Sequence, residues 1–258
     1  VIIGNAITKE NIEARAAVEM GIPYLSMPEA VNRFIAADKK IILVTGTHGK
    51  TTTSSIMSHI LHFAGMDPSF MIGGILRDFN SSFRIGSGEY MVIEGDEYDT
   101  AFFDKGPKFM HYPPEIAIMT GIEFDHADIF SGIDQIKGVF REFVLKNRDG
   151  SHFIACAENE HLKEVLDECR VHPETYGSGA QWTFSGHSQN QGVTHFKASG
   201  GGTDLNIETG LVGRHNLMNC LACIAAAKRI GIRDEDIVGA LKSFTGVKRR
   251  QEIRGIKK

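Results

Sequence analysis

Four consecutive apolar residues, Ile41-Ile42-Leu43-Val44, run directly into Thr45-Gly46-Thr47-His48-Gly49-Lys50-Thr51-Thr52-Thr53. An unbroken apolar run marks a strand buried on both faces, as happens where helices cover a parallel sheet on either side. The residues after it read as a helix over 50–64, which Gly65 ends. Strand, glycine-containing turn and helix, in that order, gather backbone N–H groups and a helix N-terminus around a phosphate. A lysine in such a turn reaches the outer phosphates, and the hydroxyl after it ligates magnesium. Lys50 and Thr51 stand in those two places. The general phosphate-loop spacing asks for glycine five residues before Gly49, where this chain has Val44, so Gly46 is the leading glycine of a variant loop. A bare Gly-Lys-Thr means little by itself. Set between a buried strand and a helix, it predicts nucleotide binding through Gly46, Thr47, His48, Gly49, Lys50, Thr51 and Thr52.

The rest of the chain continues the alternation. Strands are expected near 70–72, 90–93, 116–119 and 153–155, with helices over 133–146 and 158–169. Residues 181–184, 193–197 and 204–208 alternate in short pieces between glycine-rich turns, which reads as an antiparallel extension. Helices over 215–230 and 234–244 close the chain. The expected fold is therefore α/β, a mostly parallel sheet flanked by helices with a small antiparallel extension. Residues 1–38 offer a short strand, a helix over 11–20 and a further short piece, too little for a domain of their own.

Composition removes several classes. The 258 residues are 42% hydrophobic, which excludes disorder. No apolar run approaches the ~20 residues of a membrane helix. Lys and Arg number 28 against 32 Asp and Glu, a net charge of −4, so no general positive field draws nucleic acid or anionic lipid. Neither nucleic acid nor membrane is an expected partner. Four scattered cysteines do not make a disulfide framework, and a reducing cytoplasm is the expected location. Cys220 and Cys223 lie in an alanine-rich helical stretch and read as small buried residues.

Two strand ends carry polar groups. Ligands of parallel α/β sheets bind beyond the carboxyl ends of the strands. Glu94 ends one strand and opens Glu94-Gly95-Asp96-Glu97-Tyr98-Asp99, and a carboxylate there can hold Mg²⁺. His126 follows another strand, beside Asp125 and Asp128, where it can ligate a metal or orient a reacting group. Gly73-Gly74, with Arg77 and Asn80-Ser81-Ser82, is either a backbone-accessible substrate loop or an ordinary turn. His59 and His62 read as structural.

Phosphate loop, strand-end Glu94 and strand-end His126, in that order, resemble the Mur ligase family, ATP-dependent amide-bond ligases of bacterial cell-wall synthesis related to folylpolyglutamate synthase. Gly213-Arg214-His215-Asn216-Leu217-Met218-Asn219 is similar to the family's adenine-contacting helix start, and Gly246-Val247-Lys248-Arg249-Arg250 to its phosphate-facing arginine segment. Ala101-Phe102-Phe103-Asp104-Lys105, His111-Tyr112 and Glu123-Phe124-Asp125-His126-Ala127-Asp128-Ile129-Phe130 resemble the branch that joins L-alanyl-γ-D-glutamyl-meso-diaminopimelate to UDP-N-acetylmuramate. The resemblance implies ATP and Mg²⁺ as cofactors and an acyl-phosphate intermediate. It implies Lys50, Glu94, His126 and Arg250 as catalytic groups, with Thr51, Glu94 and His126 holding metal and His215, Asn216 and Asn219 reading adenine. UDP-N-acetylmuramate and a murein tripeptide are then the substrates; if the Gly73-Gly74 stretch is a substrate loop rather than an ordinary turn, Gly73, Gly74, Asn80 and Ser81 are the residues that would meet the muramyl group.

Under that resemblance residues 1–38 end a UDP-binding domain, 39–254 form the central ATP-binding domain, and 255–258 lead to a C-terminal domain absent from this chain. An alanine-adding or folate-type ligase, and a nucleotide-binding module without ligation, are the alternatives. Three departures stand out. Gly95 replaces the usual alanine, and Gly121 an asparagine common near the metal. Arg141 stands where some members carry a carbamylated lysine, so no such lysine is expected.

Overall fold

A computed structural model describes residues 1–124 and 130–248. Along the strand Lys40–Thr45 successive side chains point to opposite faces. Ile42 and Val44 enter one hydrophobic core and Ile41 and Leu43 the other, all four almost fully buried. This is why the run is continuous rather than alternating. Burial of each side chain contributes ~1.5–3 kcal/mol.

The strand is central in a seven-stranded sheet whose order is Glu174–Tyr176, His152–Cys156, Ile116–Met119, Lys40–Thr45, Tyr90–Glu94, Ser69–Leu76 and Ser81–Arg84. All neighbours are parallel except the last pair, an antiparallel hairpin at the edge. Val44 pairs in register with Glu94 on one side and Ile118 on the other. The carboxyl ends of three adjacent strands therefore open at one place.

One face is covered by the helices Lys50–Phe63, Arg214–Arg229 and Asp234–Ser243. The first two pack closely because small residues meet there: Cys220, Ala222, Cys223 and Ala225 are fully buried, and the Cys223 thiol lies 3.3 Å from the Thr53 carbonyl oxygen. Burial pushes the Cys220 thiol up to about 12 and Cys223 well above the usual range, so both are inert small packing groups. Buried Ser55 and Ser58 donate to the carbonyls of Thr51 and Ser54, one turn back, at 2.6 and 2.9 Å. The other face carries the helices Ile133–Asn147 and Glu160–Glu168, the helix Met27–Phe34 and the 3₁₀ turn Lys108–His111.

A separate three-stranded antiparallel sheet, Thr183–Asn190, Val193–Gly200 and Thr203–Thr209, turns Phe196, Ala198, Leu205 and Ile207 into the first core. The antiparallel pieces expected from the sequence are present, but they make a sheet of their own. The short strand expected near 70–72 runs from Ser69 to Leu76, straight through Gly73-Gly74. Residues 27–34 form a helix closed by a reciprocal cap, in which Ser26 Oγ accepts from Glu29 N and the Glu29 carboxylate accepts from Ser26 N at 2.7 Å. Among the described residues no helix is long and apolar enough to cross a membrane.

Candidate functional site

The loop after Lys40–Thr45 is stapled to the exit of the neighbouring strand. Thr47 N donates to Gly121 O at 2.9 Å, Thr120 Oγ1 to His48 O at 2.5 Å, and Glu123 N to Thr47 Oγ1 at 2.8 Å. Gly46 has φ 124°, and a Cβ on it would sit 2.3 Å from Thr120 Oγ1. Gly49, with φ 84°, is the left-handed residue from which the helix Lys50–Phe63 starts, and a Cβ there would lie 2.8 Å from Asn219 Oδ1. Only glycine fits either position. No side chain caps this helix, so its first N–H groups face outward, where an anion can take them.

Lys50 Nζ, curled back over the loop, donates to Gly46 O at 2.7 Å and Thr47 O at 3.0 Å, and meets the Glu97 carboxylate oxygens at 2.9 and 3.1 Å. Thr51 Oγ1 donates to Glu94 Oε1 at 2.7 Å, and the other Glu94 oxygen accepts from Gly73 N at 2.6 Å. Gly74 passes so close to Thr51 that a Cβ would lie 2.7 Å from its methyl group. The acidic segment after Tyr90–Glu94 is thus engaged in protein contacts: Asp96 pairs with Lys108 at 2.7 Å and Asp99 with Lys105 at 3.1 Å.

These groups line a cavity of about 650 Å³, walled by Thr47–Thr51, Gly73, Glu94, Asp96, Glu97 and Lys108 and, from the N-terminal residues, Gly4, Asn5, Met27 and Pro28. A second cavity, of about 800 Å³, meets it at Gly49 and is lined by Thr52, Arg77, His215, Asn216, Asn219, Phe244 and Val247. Asn216 donates to Val212 O at 2.8 Å and Asn219 to Asn216 Oδ1 at 3.3 Å. Arg214 clamps Glu158 at 2.7 Å and holds its carboxyl down at about 2. A larger hollow, of about 850 Å³, lies at the amino ends of the strands, where the charges at its rim are already paired (Lys40 with Glu89, His152 with Glu174). The two cavities that share Gly49 are the candidate site.

Thr51 and Glu94 form an all-oxygen donor pair at adjoining strand and helix ends. Mg²⁺ keeps several waters and substrate oxygens, so one hydroxyl and one carboxylate suffice for it. The residues present fit the ion. Among the described residues there is no group of three His, Cys, Asp or Glu side chains that would cage a metal unaided.

Of the site residues read from the sequence, Thr47 to Thr51, Gly73 and Glu94 converge on the first cavity, and Thr52, His215, Asn216 and Asn219 on the second, while Gly46 sits against Thr120 and Gly121 at the base of the loop. Asn80 and Ser81 lie on the edge hairpin and line neither cavity: Asn80 is held by Lys248, and Ser81 Oγ donates to Phe83 O at 2.6 Å. Arg77, by contrast, turns into the second cavity. Arg141 binds Glu168 at 2.7 Å on the outer helices. His126 and Arg250 lie outside the described residues. The sequence did not single out Glu97, Lys108 or Thr120. The carboxylate run was visible, but not which lysine each acid would take.

The profile of the Mur ligase middle domain matches residues 44–227. The UDP-N-acetylmuramate–L-alanyl-γ-D-glutamyl-meso-2,6-diaminoheptandioate ligase of Escherichia coli is 38% identical over 259 residues, 99% of this chain and 56% of the relative. A UDP-N-acetylmuramate–L-alanine ligase of Geotalea daltonii is 36% identical over 258 residues, 99% of this chain and 55% of the relative. Among solved structures, the UDP-N-acetylmuramate:L-alanyl-γ-D-glutamyl-meso-diaminopimelate ligase from Neisseria meningitides superposes with a TM-score of 0.87 at 35% identity, covering 96% of this chain and 79% of that one. The chain spans about half the length of the curated relatives it matches.

Proposed function

The chain belongs to the Mur ligase middle-domain family, and from that premise we propose that it is the ATP-binding part of a ligase joining L-alanyl-γ-D-glutamyl-meso-diaminopimelate to UDP-N-acetylmuramate. Residues 39–254 act as the ATP-binding domain, with residues 1–38 belonging to the UDP-binding part and residues beyond 254 leading toward the domain that brings the amine. The observation that carries the reading is the convergence of Lys50, Thr51 and Glu94 at one sheet edge, between two cavities that meet at Gly49.

The reaction sets an anionic carboxylate against an anionic γ-phosphate, so positioning and charge neutralisation supply most of the catalysis. The N–H groups of the loop and helix start wrap the phosphates, and Lys50 neutralises the outer ones. His215, Asn216 and Asn219 line the cavity on the other side of Gly49, where the adenine lies. Thr51 and Glu94 would hold Mg²⁺, which when bound neutralises phosphate oxygens. The acyl substrate enters the cavity beside Gly73 and Met27, on the terminal-phosphate side. His126 and Arg250 keep the roles that the family resemblance implies, at a second metal and at the phosphates.

Isothermal titration with a non-hydrolysable ATP analogue and Mg²⁺ tests the nucleotide reading. Binding by the wild type and its loss in a Lys50→Ala variant that still unfolds cooperatively are the expected results; undiminished binding in that variant refutes it. Assay of the tripeptide against L-alanine as amine acceptor, with UDP-N-acetylmuramate and ATP, separates the two branches. Turnover with L-alanine alone would assign the chain to the alanine-adding one.

A further inference from the structure

An ammonium group has three N–H donors, and in this structure all three of Lys50 are engaged. Two go to the carbonyls of Gly46 and Thr47, which the stapled loop fixes, and the third goes to Glu97. Lys50 and Glu97 are both largely buried, with side chains 12% and 7% exposed, so this is a desolvated pair rather than a surface contact. Glu97 is held in place by a pinned turn. Tyr98 N donates to Asp96 Oδ1 at 3.0 Å, Lys108 Nζ binds the same carboxylate at 2.7 Å, and Lys108 N donates to Tyr98 O at 3.3 Å.

A nucleotide phosphate that takes Lys50 must replace one of the three acceptors. The carbonyls belong to the loop itself, which leaves Glu97. The carboxylate that fits magnesium is a different one, Glu94, already facing Thr51. We propose that Glu97 is a positioning residue that stands in for the outer phosphates at Lys50 and, by competing with them, sets how tightly those phosphates are held. The inference rests on the nucleotide reading above and adds the residue that governs phosphate affinity. Without nucleotide the pair keeps a buried lysine satisfied and aimed along the loop. With nucleotide, Glu97 gives up Lys50 and places a negative charge beside the phosphates, which favours their release.

The sign of one substitution decides the matter. Glu97→Gln keeps the shape and removes the charge, so a non-hydrolysable ATP analogue with Mg²⁺ should bind about tenfold more tightly, the worth of one charge-assisted hydrogen bond. Adenosine, which has no phosphate, should bind both proteins alike. The nucleotide-free variant should melt lower than wild type, while the rise in melting temperature on adding the analogue should be larger. A purely structural Glu97, or one that supports the metal, gives the opposite result: equal or weaker binding of the analogue by Glu97→Gln overturns the proposal. So does a gain that extends to adenosine. Should Glu97→Gln fail to fold, Glu97→Asp, which loosens the pair without removing the charge, must shift affinity in the same direction by a smaller factor; equal or weaker binding by it overturns the proposal. A wild-type chain that binds neither analogue nor adenosine refutes the nucleotide reading itself, and this inference with it.

Discussion

Gly46 bears two demands at once, a backbone at φ 124° and a wall of Thr120 and Gly121 where its side chain would be. Gly46→Ala should cost about 1–3 kcal/mol in unfolding free energy, read in a denaturant melt, and should abolish binding of the ATP analogue. A variant that melts and binds as wild type would show that the loop has room it does not have here. Thr51→Val, nearly isosteric, should leave the melt unchanged but remove most of the Mg²⁺ dependence of nucleotide affinity; a preserved dependence would take the hydroxyl out of the metal site. Lys50, Thr51 and Glu94 are legible in the sequence because each lies within a few residues of a strand end that an apolar run announces. The pairing of Lys50 with Glu97 and the contact of Gly49 with Asn219 are not, since each joins residues far apart in sequence through packing that no local pattern encodes.

Secondary structure is most legible in the sequence where an element runs for several turns. The helices near 133–146 and 215–230 are found as Ile133–Asn147 and Arg214–Arg229. Met27–Phe34, amphipathic with Pro28, Ala30 and Val31 on its buried face and a reciprocal cap at Ser26 and Glu29, lies in what the sequence reads only as a further short piece. Gly73-Gly74 reads as a break after a short strand, whereas in Ser69–Leu76 those glycines let the strand pass against Glu94 and Thr51. Ser26→Ala removes the cap of the missed helix and should cost about 1 kcal/mol in a denaturant melt; no change would mean that packing alone holds the helix.

The start of Arg214–Arg229 is tied down differently, by the pair of Arg214 with Glu158, whose carboxyl is lowered from 4.5 to about 2. A depressed carboxyl stabilises the folded state above its unfolded value, and the contribution disappears as pH falls through the folded value. The stability advantage of wild type over Glu158→Gln should therefore be full at neutral pH, shrink from about pH 4.5 toward about pH 2, and vanish below. A difference constant across that window would show that the pair does not titrate with folding.

At the scale of the whole molecule, the sheet has one working edge. Nucleotide binding should slow amide hydrogen exchange in residues 46–53, 94–98 and 212–219, and leave untouched the hollow at the opposite edge around Lys39, Pro114 and Gly150. Protection at that far hollow instead would move the site. The strand Lys40–Thr45 also works as a ruler, because its alternation assigns side chains to two cores while its last residue fixes where the loop begins. Deleting a single residue from it would exchange the occupants of both cores and draw Gly46 back by ~3.3 Å, away from Thr120 and Asn219. Length variation in a lineage of such chains is then barred from this stretch and must collect in turns like that between Gly200 and Thr203, which borders neither cavity.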